Sequence, residues 1–159
     1  MSDKGSIIFG GRYKLKKRIA RGGMAEVFLG EDQLLGRPVA VKVLFPEFAS
    51  DSNFVERFRR EAQAAANISH PNIVGVFDWG KERNTYYIVM EYVEGRTLSQ
   101  IIRKEGPLPA ARVVEVADAM ASAIGFAHKG NVVHRDMKPG NVIISDSCLL
   151  YTSDAADEW

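Results

Sequence analysis

The hydrophobic period of this chain changes near residue 94, and that change limits the architectures open to it. Before it, Pro38-Val39-Ala40-Val41-Lys42-Val43-Leu44 is β-branched and apolar, as a buried strand should be. Tyr13 to Ala20 alternates loosely, and Val27 to Gly30 follows a glycine turn. Ile73 to Trp79 and Tyr86 to Tyr92 read as two more strands around a turn at Lys81 to Asn84. Asn53 to Asn67 shifts to helical spacing, with Phe54, Phe58, Ala62 and Ala65 on one face. Asn53 and Glu56 read as its capping pair. From Thr97 the pattern is helical. Leu98, Ile101 and Ile102 belong to a short helix ended by Gly106-Pro107. Pro109 opens a longer one, whose stripe of Val113, Val116, Ala117, Met120, Ile124 and Ala127 ends at Lys129-Gly130. A β-rich half followed by a helical half predicts an α+β fold with two lobes joined near residues 91–95.

Composition narrows the function classes. The 159 residues carry a net charge of +1, and their short basic clusters (Lys14-Lys16-Lys17-Arg18 and Arg57-Arg59-Arg60) read as solvated faces. Nucleic acid is therefore not expected as a partner. No apolar run approaches the ~18 residues of a membrane span, so the covered residues are expected to be cytoplasmic. The single cysteine, Cys148, excludes a disulfide framework and a cysteine-based zinc site. His70 and His128 stand without ligand-type neighbours and read as structural.

The chemistry concentrates in His134-Arg135-Asp136-Met137-Lys138-Pro139-Gly140-Asn141, between the long helix and an apolar strand. Phosphoryl transfer uses three such groups together: a carboxylate to orient and deprotonate the attacking hydroxyl, an ammonium to neutralise the moving phosphoryl, and an amide to hold Mg²⁺. Asp136, Lys138 and Asn141 supply them at fixed offsets. Ala20-Arg21-Gly22-Gly23-Met24-Ala25-Glu26-Val27 lies between two expected strands, where glycines let backbone N–H groups close over phosphates. Lys42 sits on an otherwise apolar strand, and Glu61 lies on the following helix. A lysine in such a strand often reaches for solvent; paired with a helix glutamate, it would instead point at a nucleotide's phosphates.

From Tyr13 to Ser145 these motifs resemble the eukaryotic-like serine/threonine protein kinases, most closely their bacterial branch. The resemblance implies a protein-kinase-like fold, with a complete β-rich lobe carrying one regulatory helix and the beginning of a helical lobe. It implies transfer of the γ-phosphoryl of Mg-ATP to a Ser/Thr hydroxyl of a protein substrate. Asp136 would be the catalytic base, Lys138 the γ-phosphate partner and Asn141 a Mg²⁺ ligand. Lys42 would contact the α/β-phosphates and Glu61 would hold it. Ala20, Arg21, Gly22, Gly23, Met24 and Ala25 would form the loop over the nucleotide. Val27 and Ala40 would roof the adenine, Ile143 would floor it, and Met90 would be the gatekeeper. The backbone of Glu91 to Val93 would bond the adenine edge. Arg135 implies control by a phosphorylated activation loop. Two departures, Ala20 and Ala25 in place of family glycines, suggest altered loop closure through lost access to positive φ. They also keep a pseudokinase or nucleotide-binding scaffold as the alternative. A small-molecule phosphotransferase is a second rival, and Lys138 speaks against it.

The resemblance calls for an Asp-Phe-Gly about 13 residues after Asn141. Asp154 falls there, but Ala155-Ala156 follow. The stretch Cys148 to Glu158 resembles an in-frame translation of the transposon-end adaptor used in DNA library preparation. The expected organisation is an extension over 1–11, a β-rich lobe and hinge over 12–93, a partial helical lobe over 94–147, and an artefactual tail over 148–159. The polypeptide itself is expected to be inactive; the resemblance leaves open a membrane anchor downstream in a full-length parent.

Overall fold

The computed structural model describes residues 5–145 and 150–152. It divides into two compact units. Among the described residues, those up to Gln63 together with Val76–Tyr92 form the first, and Ala64–Gly75 with those from Val93 onward form the second.

The first unit is built on a six-stranded antiparallel sheet of order β1-β2-β3-β4-β6-β5. Its strands are β1 (Ile8–Phe9), β2 (Tyr13–Arg21), β3 (Ala25–Asp32), β4 (Arg37–Leu44), β5 (Val76–Glu82) and β6 (Thr85–Glu91). Period-two alternation sorts β4 onto two faces. Val39, Val41 and Val43 join Phe9, Tyr13, Tyr87 and Val89 in an apolar cluster, with Leu15 and Phe28 packed against it. Val39, Val41 and Val89 are fully buried, each contributing about 1.5–3 kcal/mol. The loose alternation of β2 has a physical cause: the register shifts between Leu15 and Lys17, and again between Arg18 and Ala20.

Polar ties close the edge of this sheet. Arg12 donates two hydrogen bonds to buried Asp32, at 2.8 and 2.7 Å, and the N–H groups of Leu34 and Leu35 add two more at 3.0 and 3.2 Å. The Arg12 guanidinium foremost, with those two backbone donors, pulls the Asp32 carboxyl down to about 2. The Tyr13 hydroxyl donates to Asp78 at 2.6 Å, and burial raises its pKa. Gly10 turns the chain between β1 and β2 at φ +59°, with its N–H donating to Glu82 at 2.9 Å. A side chain there would collide with the Tyr87 hydroxyl.

Two helices follow β4: α1 (Pro46–Ala49) and α2 (Ser52–Ala66). The α2 cap differs from the expectation. Asp51 accepts from the Asn53 N–H at 2.9 Å, and its carbonyl takes the first helical bond from Val55. Asn53 is thus the second helical residue. Glu56 pairs with Arg59 and Arg60 at 2.8 and 2.9 Å instead of reaching back. Phe58, Ala62 and Ala65 form the buried stripe as expected, with Glu61 half-buried beside it.

The second unit holds α3 (Leu98–Glu105), α4 (Ala110–Lys129) and an antiparallel sheet of β7 (Gly95–Thr97), β8 (Val142–Ser145) and β9 (Leu150–Thr152). Thr97 caps α3 in a reciprocal box with Gln100. Pro109 is the cap of α4, one residue outside the first turn where the sequence placed it; its carbonyl accepts from Arg112 and Val113. The buried line of α4 is also rotated from the expected stripe. Val116 and Ala123 are buried, whereas Val113 and Ala117 face water. Leu98, Val116 and Val142 centre the core, with Leu108, Met120 and Met137 packed around them.

The segment Ala64–Gly75, read from sequence as part of the β-rich half, groups with the second unit through His70. Its Nε2 lies 3.2 Å from the Ser122 hydroxyl, and its ring lies 5.1 Å from that of Phe126. β9 falls within the adaptor-like stretch, its register pairing Tyr151 with Ile143; the rest of that stretch lies outside the described residues. Among the described residues no helix is long and apolar enough to cross a membrane.

Candidate active site

In the second unit the polar loop is pinned at both ends by apolar side chains. Met137 packs against the core, and Val142, directly after Asn141, is fully buried. Lys138 is extended, at φ −151° and ψ 160°. Side chains on an extended segment alternate, so Asp136 and Lys138 share the side opposite the Met137 anchor. The turn Pro139–Asn141 follows, with the Asn141 N–H donating to the Lys138 carbonyl at 2.9 Å. This turn brings the third group back. Asn141 Nδ2 donates to the Asp136 carbonyl at 2.9 Å and to its carboxylate Oδ2 at 3.2 Å. Lys138 Nζ stands 3.4 Å from the same Oδ2.

Two of the expected catalytic-loop residues, Lys138 and Asn141, therefore converge on one carboxylate oxygen of the third, Asp136. The side chains of Asp136 and Lys138 remain 28% and 33% exposed, open enough to meet a substrate. Both Asp136 groups facing Asn141 are acceptors, which fixes the amide with its nitrogen toward them and its oxygen facing away. Two further features hold the loop and were not apparent from the motif. His134 Nδ1 accepts from the Asp136 N–H at 3.3 Å. Arg135 adopts φ +68°, a left-handed conformation costly for a residue with a Cβ. No hydrophobic period signals either feature; a non-glycine at positive φ shows only in three dimensions.

In the first unit the expected nucleotide residues lie on the sheet face opposite the apolar cluster. Lys42 is directly across from Val27 on β3 and from Ile88 on β6. Ala40, two residues earlier, faces Met90. Directly opposed residues share a face, so Val27, Ala40, Lys42, Ile88 and Met90 form one patch. Glu91 is opposite Val39, in the other set. Lys42 is 3% exposed, so it does not reach for solvent. Burying an ammonium requires compensation, and both Lys42 and Glu61 are engaged with partners in the fold.

The glycine loop closes as a tight hairpin end. The Gly22 N–H donates to the Ala25 carbonyl at 2.8 Å, and Met24 is 4% exposed. Ala20 and Ala25 lie in β2 and β3, opposite Val27 and Leu44, without positive φ. The expected conformational penalty of these alanines is therefore absent: strand backbone does not ask for glycine there. Ile143 lies in β8 of the second unit, opposite Thr97. Val93 also belongs to that unit, just beyond the last residue of the first. Asp154 lies outside the described residues.

Residues 13–154 match the protein kinase domain family. The serine/threonine-protein kinase PrkC of Bacillus subtilis is 49% identical over 144 residues, covering 91% of this chain and 22% of PrkC. The serine/threonine-protein kinase PknA of Mycobacterium tuberculosis is 42% identical over 159 residues, covering 97% of this chain and 37% of PknA. The crystal structure of the Mycobacterium tuberculosis PknI kinase domain aligns with a TM-score of 0.84 and 31% identity, covering 97% of this chain and 63% of that one. The chain thus spans well under half the length of these curated relatives. With a match running through both units and most of its residues, this chain belongs to the protein kinase family.

Proposed function

We propose that this chain carries the nucleotide-binding and catalytic-loop portion of a serine/threonine protein kinase that uses Mg-ATP. The observation that carries the reading is the convergence of Lys138 and Asn141 on Asp136 Oδ2. Asp136 is the one acceptor there suited to orient a serine or threonine hydroxyl and take its proton. Lys138, two residues on, holds positive charge beside that hydroxyl. The Asn141 amide oxygen, turned away from Asp136, is a neutral hard donor of the kind Mg²⁺ accepts. Magnesium-ATP, when bound, supplies the transferable phosphoryl group and the cation that offsets its charge. Lys42, paired with Glu61, positions the α- and β-phosphates, and Val27, Ala40 and Met90 bound the adenine site. The backbone of Glu91 to Val93 supplies donors and acceptors for the adenine edge. The acceptor is a protein, since a base followed by lysine at this spacing belongs to protein kinases and is lacking in small-molecule phosphotransferases.

The test is phosphoryl transfer by the kinase domain extended to the length of its solved relatives. Incubated with Mg-ATP, it should label a generic Ser/Thr protein and leave an aminoglycoside unlabelled. Labelling of the aminoglycoside alone would reassign the substrate class. Nucleotide binding without any transfer would establish the pseudokinase reading.

A further inference from the structure

We propose that Arg21 is a positioning residue for the glycine loop, acting through a stacking contact with Phe45. The proposal rests on the nucleotide-binding reading above and gives Arg21, already placed in that loop, a specific task through Phe45. A loop that wraps phosphates with backbone N–H groups binds well only if it spends little freedom in closing. Here the hairpin end is fastened to the chain that follows β4 by two contacts of different kinds. The Phe45 N–H donates to the Met24 carbonyl at 2.8 Å. Met24 itself is 4% exposed, so the turn carries one buried apolar side chain. The Arg21 guanidinium lies over the Phe45 ring, 5.1 Å from its centroid.

Phe45 is a firm platform for that contact. It precedes Pro46, which disfavours helical backbone at the residue before it, and it is extended at φ −63° and ψ 139°. Arg21 is the last residue of β2, immediately before Gly22 and Gly23. Glu26, opposite Arg21 in the register, pairs with Arg18 at 3.4 Å. Stacking therefore fixes a cation next to the Gly22-Gly23 turn, whose Gly22 N–H is already bonded to the Ala25 carbonyl, and holds that turn in a single conformation.

The experiment compares the 159-residue chain with its Arg21→Ala, Phe45→Leu and doubly substituted forms. Its first readout needs no nucleotide: amide hydrogen exchange at Gly22 and Gly23. Loss of the stack should speed exchange about two- to five-fold, the factor a solvent-exposed cation–π contact supplies. The double substitution should add little beyond either single one. The second readout is binding of a fluorescent Mg-ATP analogue against adenosine. Affinity for the triphosphate should fall by a similar factor while adenosine binding stays unchanged, because the contact bears on phosphates alone. Unaltered exchange, additive substitutions, or equal losses for both ligands would overturn the inference. Faster exchange in the variants, together with a wild-type chain that binds neither ligand, would leave the stack standing and defeat the nucleotide reading, and with it the positioning role.

Discussion

At the scale of single residues, Asp32 shows how a buried charge is made tolerable. Its carboxylate accepts from Arg12 twice and from two backbone N–H groups, and Arg37 stands 3.8 Å away. The folded pKa of about 2 lies below the ordinary aspartate value near ~3.9. A depressed carboxylate pKa adds stability that is complete above the unfolded value and fades as pH falls toward the folded one. Thermal unfolding followed by circular dichroism should accordingly show Tm falling between about pH 4 and pH 2. Asp32→Asn should lower Tm at pH 7 and flatten that dependence; an unchanged acid limb in the variant would contradict the assignment. Residues of this kind are only half legible in sequence. The offsets of Asp136, Lys138 and Asn141 revealed the catalytic loop because each side chain type is demanded by the chemistry. Nothing in a one-dimensional pattern distinguishes Asp51 from Asn53 as a helix cap, since both offer a side-chain oxygen two residues apart.

At the scale of elements, hydrophobic period served where an element is long and one-sided. It identified α2 and α3 because each buries one face, whereas β4 and β6, buried on both faces, showed as near-continuous apolar runs. It missed β1, whose two residues are too few to show a period, and it placed the α4 stripe one step off. The small sheet offers a direct check. Gly95 on β7 lies so close to β8 that an added Cβ would meet the Ile144 carbonyl oxygen and come within 2.8 Å of Ser145 Cα. Those are backbone atoms that cannot swing aside. Gly95→Ala should destabilise the chain by about 1–3 kcal/mol, the usual cost of overpacking, measured by urea denaturation. A change within experimental error would mean that β7 and β8 do not pair as described. Thr97 and Val142, the neighbours that seat this sheet on α3 and the core, would then need reassignment.

At the scale of the whole molecule, the chain spans 63% of the PknI kinase domain, and its second unit leaves apolar side chains in water. Val113 and Val114 on α4 are 48% and 66% exposed. Asp154 is followed by alanines where kinases place Phe-Gly. The 159-residue polypeptide should therefore bind a hydrophobic dye such as ANS and transfer no phosphate to protein. Replacing Val113 and Val114 with glutamine should reduce dye binding without restoring transfer. Robust phosphorylation by the unmodified polypeptide would contradict this. The measurement that bears most directly on the central claim is single-turnover transfer from Mg-ATP to a Ser/Thr protein by the extended kinase domain, wild type against Asp136→Asn. General-base removal costs about 10²–10⁴ in rate, so the variant should lose that factor while its affinity for Mg-ATP holds. Equal rates in the two proteins would show that the Asp136 carboxylate is not the acceptor on which this account is built.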